Sequence, residues 1–288
     1  MGLRTGRTTS ESAKIIHSAL DAGINIIDTA TAYQTEALVA AGLRGRPRDR
    51  VVISSKRGLR SESGNGLLSK EELIKSVENS LRCLETDYID IYHLHAVSPD
   101  EYGYASEEMV PTLQKLKLAG KVRFLGITER FEEDTQHLAL SRTIKEGLVD
   151  VVMVGFNMLN QTAREIVLQV AANNDIGTMI MFAVRRVFSQ PQRLQELINQ
   201  LAESEEIDPE LTKDADPLSF LLAESPDLTD AAYRYCLQQP GVSTVLSGTG
   251  NIDHLLSNIT SFARGPLSST ATSQIDRIFA NVRSVSGS

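Results

Sequence analysis

The strongest constraint on this chain is a rhythm. Short apolar runs, each about long enough for one strand, alternate with longer stretches in which apolar residues recur every three or four positions. The strand-like runs are 23–28, 51–55, 88–95, 121–127, 150–156, 178–184 and 242–246, and a stub at 2–5 makes an eighth. They are nearly continuous in Ile, Val and Leu, as befits strands buried on both faces by helices. Ser69 and Glu72 form a capping box ahead of Leu73, Val77, Leu81 and Leu84, which fall on one helical face. Thr8 and Glu11 open an earlier helix in the same way, and Gly23 stands where that helix must end. Gly120 closes a helix carrying Met109, Leu113 and Leu116, and a last amphipathic helix is expected over 271–282.

Strand and helix in regular succession imply a parallel sheet, either open and doubly wound or closed. The count near eight favours closure into a (β/α)8 TIM barrel, as does the lack of a Gly-rich dinucleotide turn after the first strand. All of 1–288 is then expected as one barrel domain. One connection breaks the rhythm. Residues 184–227 hold Pro191, Pro209, Pro217 and Pro226 among many acids, with a short helix expected at 192–201. Long connections of this kind are functional or passive. On a barrel this one follows the seventh strand, on the face where active sites lie, so it reads either as a lid or substrate loop or as a plain surface excursion.

Charge and composition exclude some partners. The formal net charge is −8, which disfavours nucleic acid, because phosphate recognition needs a basic face. A membrane-spanning helix would need about 18 consecutive apolar residues, and the sequence has no such stretch. The first ten residues carry no apolar core of a signal peptide, so a cytoplasmic protein is expected. Cys83 and Cys236 lie far apart in helical contexts and read as small hydrophobes in a reducing compartment.

Polar residues at the C-terminal ends of the expected strands carry the chemistry. Asp28 ends one strand, Lys56 the next, and His95 the one after that; Tyr33 follows Asp28 closely. A barrel gathers all four at one mouth, and an acid, a phenol, an amine and an imidazole together suggest proton transfer. An ordinary phenol, with a pKa of about 10, is a poor acid near neutrality. An ammonium about 4 Å away favours the phenolate by roughly 4 kcal/mol at an effective dielectric of about 20. A lysine at a buried strand end tends to lose its proton unless a carboxylate sits beside it, which is the role expected of Asp28. His95 can then hold the substrate oxygen while Tyr33 protonates it. Taken singly, each residue also has an ordinary reading: a capping acid, an amphipathic ring, a solvated strand end, a structural histidine. His93 keeps that reading, on the same face as His95 but one layer deeper.

The segments GINIIDTATAY, VVISSK, DYIDIYHLH and KVRFLGIT resemble, in order, the signatures of the aldo-keto reductase superfamily, and the likeness runs from about Gly2 to about Asn258. The resemblance implies a (β/α)8 barrel that binds NADPH, less often NADH, and reduces aldehydes or ketones to alcohols. It implies Tyr33 as general acid, Lys56 and Asp28 as the residues that activate it, and His95 as the residue that orients the carbonyl. It places cofactor contacts at Thr5, Asp28, Thr128, Glu129 and Phe182. Gly248, Thr249, His254 and Asn258 match the adenosine-phosphate pocket, at a strand-to-helix turn suited to an anion. Arg185 and Arg186 read either as pyrophosphate ligands or as solvated charges. There are departures. Met153 stands at the usual glutamine, Gln34 at the common glycine after the tyrosine, and Arg4 at another glycine. Gly248 and His254 replace the frequent lysine and arginine of the phosphate site, and the opening hairpin is truncated.

The leading expectation is an NADPH-dependent carbonyl reductase acting on a small molecule. A nucleotide-binding regulatory protein on the same barrel is the alternative, and a cofactor-free lyase or isomerase is a third reading. Substrate identity, oligomeric state and physiological direction are not legible. Specificity is expected from 95–106, where Tyr102 and Tyr104 either line a pocket or lie on the surface, from 184–227 and from the tail.

Overall fold

The computed structural model of the chain describes residues 8–61, 64, 66–212 and 217–287. Thr5, Arg4 and the expected strand at 2–5 lie outside the described residues. Seven strands are found among the described residues: β1 (Ile26–Asp28), β2 (Val52–Gly58), β3 (Ile89–Val97), β4 (Val122–Glu129), β5 (Val151–Gly155), β6 (Gly177–Met181) and β7 (Thr244–Val245). Their order in the sheet is their order in the chain.

By internal contacts the chain divides into two compact units. The first holds the described residues up to Arg130 together with Arg142–Val152 and Gly248–Ser257. Here β1, β2, β3 and β4 pair in parallel, with Ile27 opposite Ile53, Ser54 opposite Ile91, and Ile91 opposite Phe124. Ile89 to Leu94 are buried in succession, the two-sided burial that the sequence pattern implied. Arg123 and Phe124 on β4 depart from it and are exposed. Both capping boxes form: Thr8 caps Thr9–Asp21 and Ser69 caps Lys70–Cys83, each with its Glu side chain returned to the cap backbone. Gly23 (φ +92) and Gly120 (φ +74) take the left-handed conformation that ends their helices. The helices Thr9–Asp21 and Glu36–Leu43 meet where a side chain is missing: a Cβ on Gly42 would lie 2.5 Å from Ile16 Cδ1.

The second unit holds Phe131–Ser141, Met153–Ser247 and the chain from Asn258. Its β6 and β7 are parallel, Met179 opposite Thr244. Two expected strands are shorter than their apolar runs. The run at 178–184 stops pairing at Met181 because Phe182 turns to φ +66, outside the extended region that a regular ladder needs. The run at 242–246 shrinks to two residues because side chains take over the ladder. The Ser243 amide donates to Thr178 Oγ1 and the Thr178 amide to Ser243 Oγ.

The segment 184–227 is far from structureless. It contains a helix at Pro191–Glu203, whose Leu194, Ile198 and Leu201 are buried, and short 3-10 turns at Arg186–Ser189 and Ser219–Ala223. Its Glu206 accepts the backbone amides of Arg283 and Ser284, tying down the end of the chain after the helix Ser269–Phe279. Cys83 and Cys236 are free thiols; Cys236 is buried and donates to the Phe156 carbonyl. Tyr102 is buried with its hydroxyl on Glu146, and the Tyr104 hydroxyl donates to the Leu68 carbonyl, so both act as anchors.

Candidate active site

The first unit brings Asp28, Tyr33, Lys56 and His95 together. Asp28 is the last residue of β1, and the register sets Asp28 opposite Ser54 and Lys56 opposite His93. Lys56 is only 1% exposed, which a lysine tolerates only with strong partners. It has them: Nζ donates to Asp28 Oδ1 (2.7 Å), Asp28 Oδ2 (2.5 Å) and the Thr29 carbonyl (2.8 Å). Ser54 Oγ donates to Asp28 Oδ1 as well. Burial pushes the Asp28 carboxyl up, but the Lys56 charge and hydrogen bonds outweigh that and hold it below the ordinary carboxylate value.

After β1 the chain enters a one-turn 3-10 helix, Thr31–Tyr33, tied to β2 by the Thr31 hydroxyl donating to the Lys56 carbonyl. The turn delivers the Tyr33 ring over the ammonium, with Lys56 Nζ 5.2 Å from the ring centroid. Gln34 leaves the turn at φ +55, ψ 31, in the left-handed region, so the residue type commonest there in the resemblance, glycine, has a conformational reason. His95 meets Tyr33 edge to face, with ring centroids 5.9 Å apart and an interplanar angle of 83°. Both rings are half-buried.

His95 is aimed by an irregularity. Pairing of β3 with β4 shifts register between Leu94 and Val97, and Ala96 sits at φ +55. Bulges of this kind re-aim a side chain beside an active site. The Ala96 amide donates to Thr128 Oγ1 at 2.7 Å, so Thr128, expected as a cofactor contact, also fastens the bulge that follows His95. Below His95, His93 is fully buried, and neither ring nitrogen has a hydrogen-bond partner among the described residues. Burial, then the Lys56 charge, pull its pKa down to about 3, so it is neutral.

The remaining expected residues are placed as follows. In the first unit Thr128 and Glu129 close β4, both buried; Gly248 lies exposed in a loop whose would-be Cβ meets nothing. Thr249 Oγ1 accepts the Asn251 amide at the start of the helix Ile252–Ala263, and His254 is exposed on that helix. In the second unit Asn258 donates to Ser247 Oγ. Phe182 stacks with Phe131, which stacks on His137, and the Arg185 guanidinium lies 4.1 Å over the Phe182 centroid while pairing with Glu132. Arg186 is exposed, and Met153 is buried. Among the described residues no His, Cys, Asp and Glu group is arranged to hold a metal, and no helix is long and apolar enough to cross a membrane.

Sequence reasoning missed two contributors. The Thr29 carbonyl, the third acceptor of Lys56, leaves no trace in residue type. Glu36 follows Tyr33 closely and reads as an ordinary first-turn acid. It is in fact buried and accepts the Ser55 hydroxyl at 2.7 Å, while Thr29 and Thr35 share a hydrogen bond at 2.8 Å. Together these bonds fix the connection between β1 and the first residues of the following helix.

Comparison with known proteins bears on the family and the fold. The model of the Aldo/keto reductase family matches residues 2–280. The aldo-keto reductase YhdN of Bacillus subtilis is 28% identical over 296 residues, covering 96% of this chain and 86% of its own. The NADH-specific methylglyoxal reductase of Escherichia coli is 30% identical over 55% of this chain and 52% of its own. Among solved structures, the holo form of aldo-keto reductase AKR11C1 from Bacillus halodurans aligns with a TM-score of 0.74 at 22% identity, covering 99% of this chain and 91% of that one. An aldo-keto reductase from Klebsiella pneumoniae in complex with NADPH aligns with a TM-score of 0.70 at 24% identity, covering 100% and 91%. The fold is therefore the (β/α)8 barrel of these enzymes, and the chain belongs to the aldo/keto reductase family.

Proposed function

We propose that this enzyme reduces an aldehyde or ketone to an alcohol with NADPH, and that Tyr33 is the proton donor. One observation carries the reading: a buried lysine, paired with Asp28, lies under the ring of a half-buried tyrosine that also meets His95. A fixed positive charge beneath the phenol lowers the cost of negative charge on its oxygen as the proton leaves. In this reading His95, which meets the Tyr33 ring edge to face, donates a hydrogen bond to the carbonyl oxygen and orients it toward the phenol.

The residues present suit a nicotinamide dinucleotide. Phe182 offers an aromatic ring, Thr128 and Glu129 polar groups, and Arg185 and Arg186 charge for a pyrophosphate. The turn capped by Thr249 opens a helix of twelve residues whose amides suit a phosphate. Gly248, Thr249, His254 and Asn258 are assigned to the adenosine phosphate. Bound cofactor supplies the hydride that the carbonyl carbon receives. With glycine at 248 and a histidine at 254, the phosphate site carries little fixed positive charge, so NADH is also a working cofactor in this reading. The NADPH complex from Klebsiella and the NADH-specific relative from Escherichia coli support the two choices.

The test is Tyr33→Phe. Turnover of a carbonyl panel, followed by nicotinamide absorbance, is expected to fall by roughly 10²–10⁴-fold, the usual worth of a positioned acid. Cofactor affinity, read by fluorescence titration, is expected to stay within about twofold. Turnover that survives the substitution overturns the assignment of the acid. Tight nucleotide binding by the wild type with no turnover on any carbonyl would favour a regulatory role instead, a reading to which the buried Met153 lends weight.

A further inference from the structure

His93 stands out as a polar group kept where an apolar one would be cheaper. It is 0% exposed, and both ring nitrogens lack hydrogen-bond partners among the described residues. A buried unpaired donor and acceptor are destabilising, and cores normally avoid them. The fold nevertheless makes room for this ring. On β4 the opposing residue is Gly126, and a Cβ there would fall 2.1 Å from His93 Nδ1. On β2 the opposing residue is Lys56. The ring thus lies between Gly126, which has no side chain, and the lysine beneath Tyr33. The charged and titratable groups that act on it are Lys56, Asp28 and His95.

We propose that His93 is a positioning residue that acts on proton donation through Lys56, its neutral ring dipole helping to keep the ammonium charged and in place. All three Lys56 protons go to Asp28 and Thr29, so the ring is not a hydrogen-bond acceptor for it. A neutral imidazole beside an ammonium settles with its lone-pair nitrogen toward the charge, and in a dry core that dipole is poorly screened. An aliphatic side chain of similar bulk offers no such dipole. The unpaired nitrogens are then a stability cost retained for electrostatics.

The inference rests on the reading of Tyr33 as the acid, and the experiment separates the two. Wild type, Tyr33→Phe, His93→Leu and His93→Gln are compared for thermal midpoint, kcat, KM and the pH profile of kcat. His93→Leu is expected to unfold at the same temperature as wild type or higher, because two unpaired polar atoms are gone. Its kcat is expected to fall about tenfold with KM unchanged. The alkaline limb of its profile is expected to move about one pH unit lower, since the ring dipole that faces the Lys56–Asp28 pair is gone. His93→Gln, polar and neutral, is expected to restore the limb. An unchanged kcat and pH profile in His93→Leu, with only the thermal midpoint altered, overturns the proposal. So does equal loss in both variants without movement of the limb. If His93→Leu does not fold, a His93→Gln profile displaced as far as one unit overturns it and one at the wild-type position supports it. Full turnover in Tyr33→Phe would instead overturn the acid assignment, whatever the His93 variants show.

Discussion

Replacing Asp28 by asparagine should cost this enzyme much of its stability at neutral pH and little at low pH. The Lys56 side chain is 2% exposed and the Asp28 side chain 13%, with two hydrogen bonds between them. Removing one member of so buried a pair strands the other charge and typically costs about 3–5 kcal/mol. The substituted carboxamide can still present one oxygen to Nζ, and the Thr29 carbonyl remains, so the lower end of the range is expected. For a chain of this length, about 3 kcal/mol corresponds to a fall of roughly 6 °C in the thermal midpoint. The pH dependence follows from Asp28's folded value lying below its ordinary one. The pair's contribution is complete above the ordinary carboxylate value, about 3.9, and is lost as pH falls through the lower folded value. Urea unfolding of both proteins at pH 7, 5 and 3 checks this. The gap should be full at pH 7 and 5 and begin to close only at pH 3. A gap under about 0.5 kcal/mol at pH 7, or one that does not change with pH, would refute the view that this ion pair holds Lys56 in place.

Other substitutions probe the scaffold. Gly155→Ala would put a Cβ 2.2 Å from the Phe131 ring, and urea unfolding should show a loss of about 1–3 kcal/mol from overpacking. Gln34→Gly relieves an L-residue held at φ +55, so its unfolding free energy in urea should equal or exceed that of wild type by at most about 1 kcal/mol, a loss of stability contradicting the left-handed turn. Glu206→Ala frees the Arg283 and Ser284 amides, whose hydrogen exchange should quicken. Burial raises the Glu206 carboxyl but those amides outweigh it and hold it below the ordinary value. In wild type, therefore, the protection of those amides relative to their intrinsic exchange should weaken only as pH falls below the usual glutamate range.

Much of the barrel was legible because its signals are local. The capping boxes at Thr8 and Ser69, the closing glycines and the apolar strands each follow from a few neighbouring residues. The tetrad was legible for a related reason: parallel strands joined by crossovers put successive strand ends on one face, so Asp28, Lys56 and His95 meet although they are distant in sequence. What escaped depends on backbone path. Nothing in residue type marks the left-handed turn at Phe182 that ends β6, the bulge at Ala96 that aims His95, or the carbonyl of Thr29 on Lys56. Within the long segment 184–227 the helix expected at 192–201 forms as Pro191–Glu203 with three buried aliphatic residues, while the short 3-10 turns beside it carry no pattern that residue type reveals.

The coordination of Lys56 has a consequence for repeated turnover. An ammonium has three N–H bonds, and here two point to one carboxylate and the third to a carbonyl. Lys56 is thus an anchored charge with no proton left to hand on, and it cannot reload Tyr33 after each cycle. In the proposed reaction the phenol recovers its proton from water at the mouth, where the ring is half open. On that proposal regeneration depends on solvent access to Tyr33, and a bound tail that seals the opening would slow the next round without touching the chemical step.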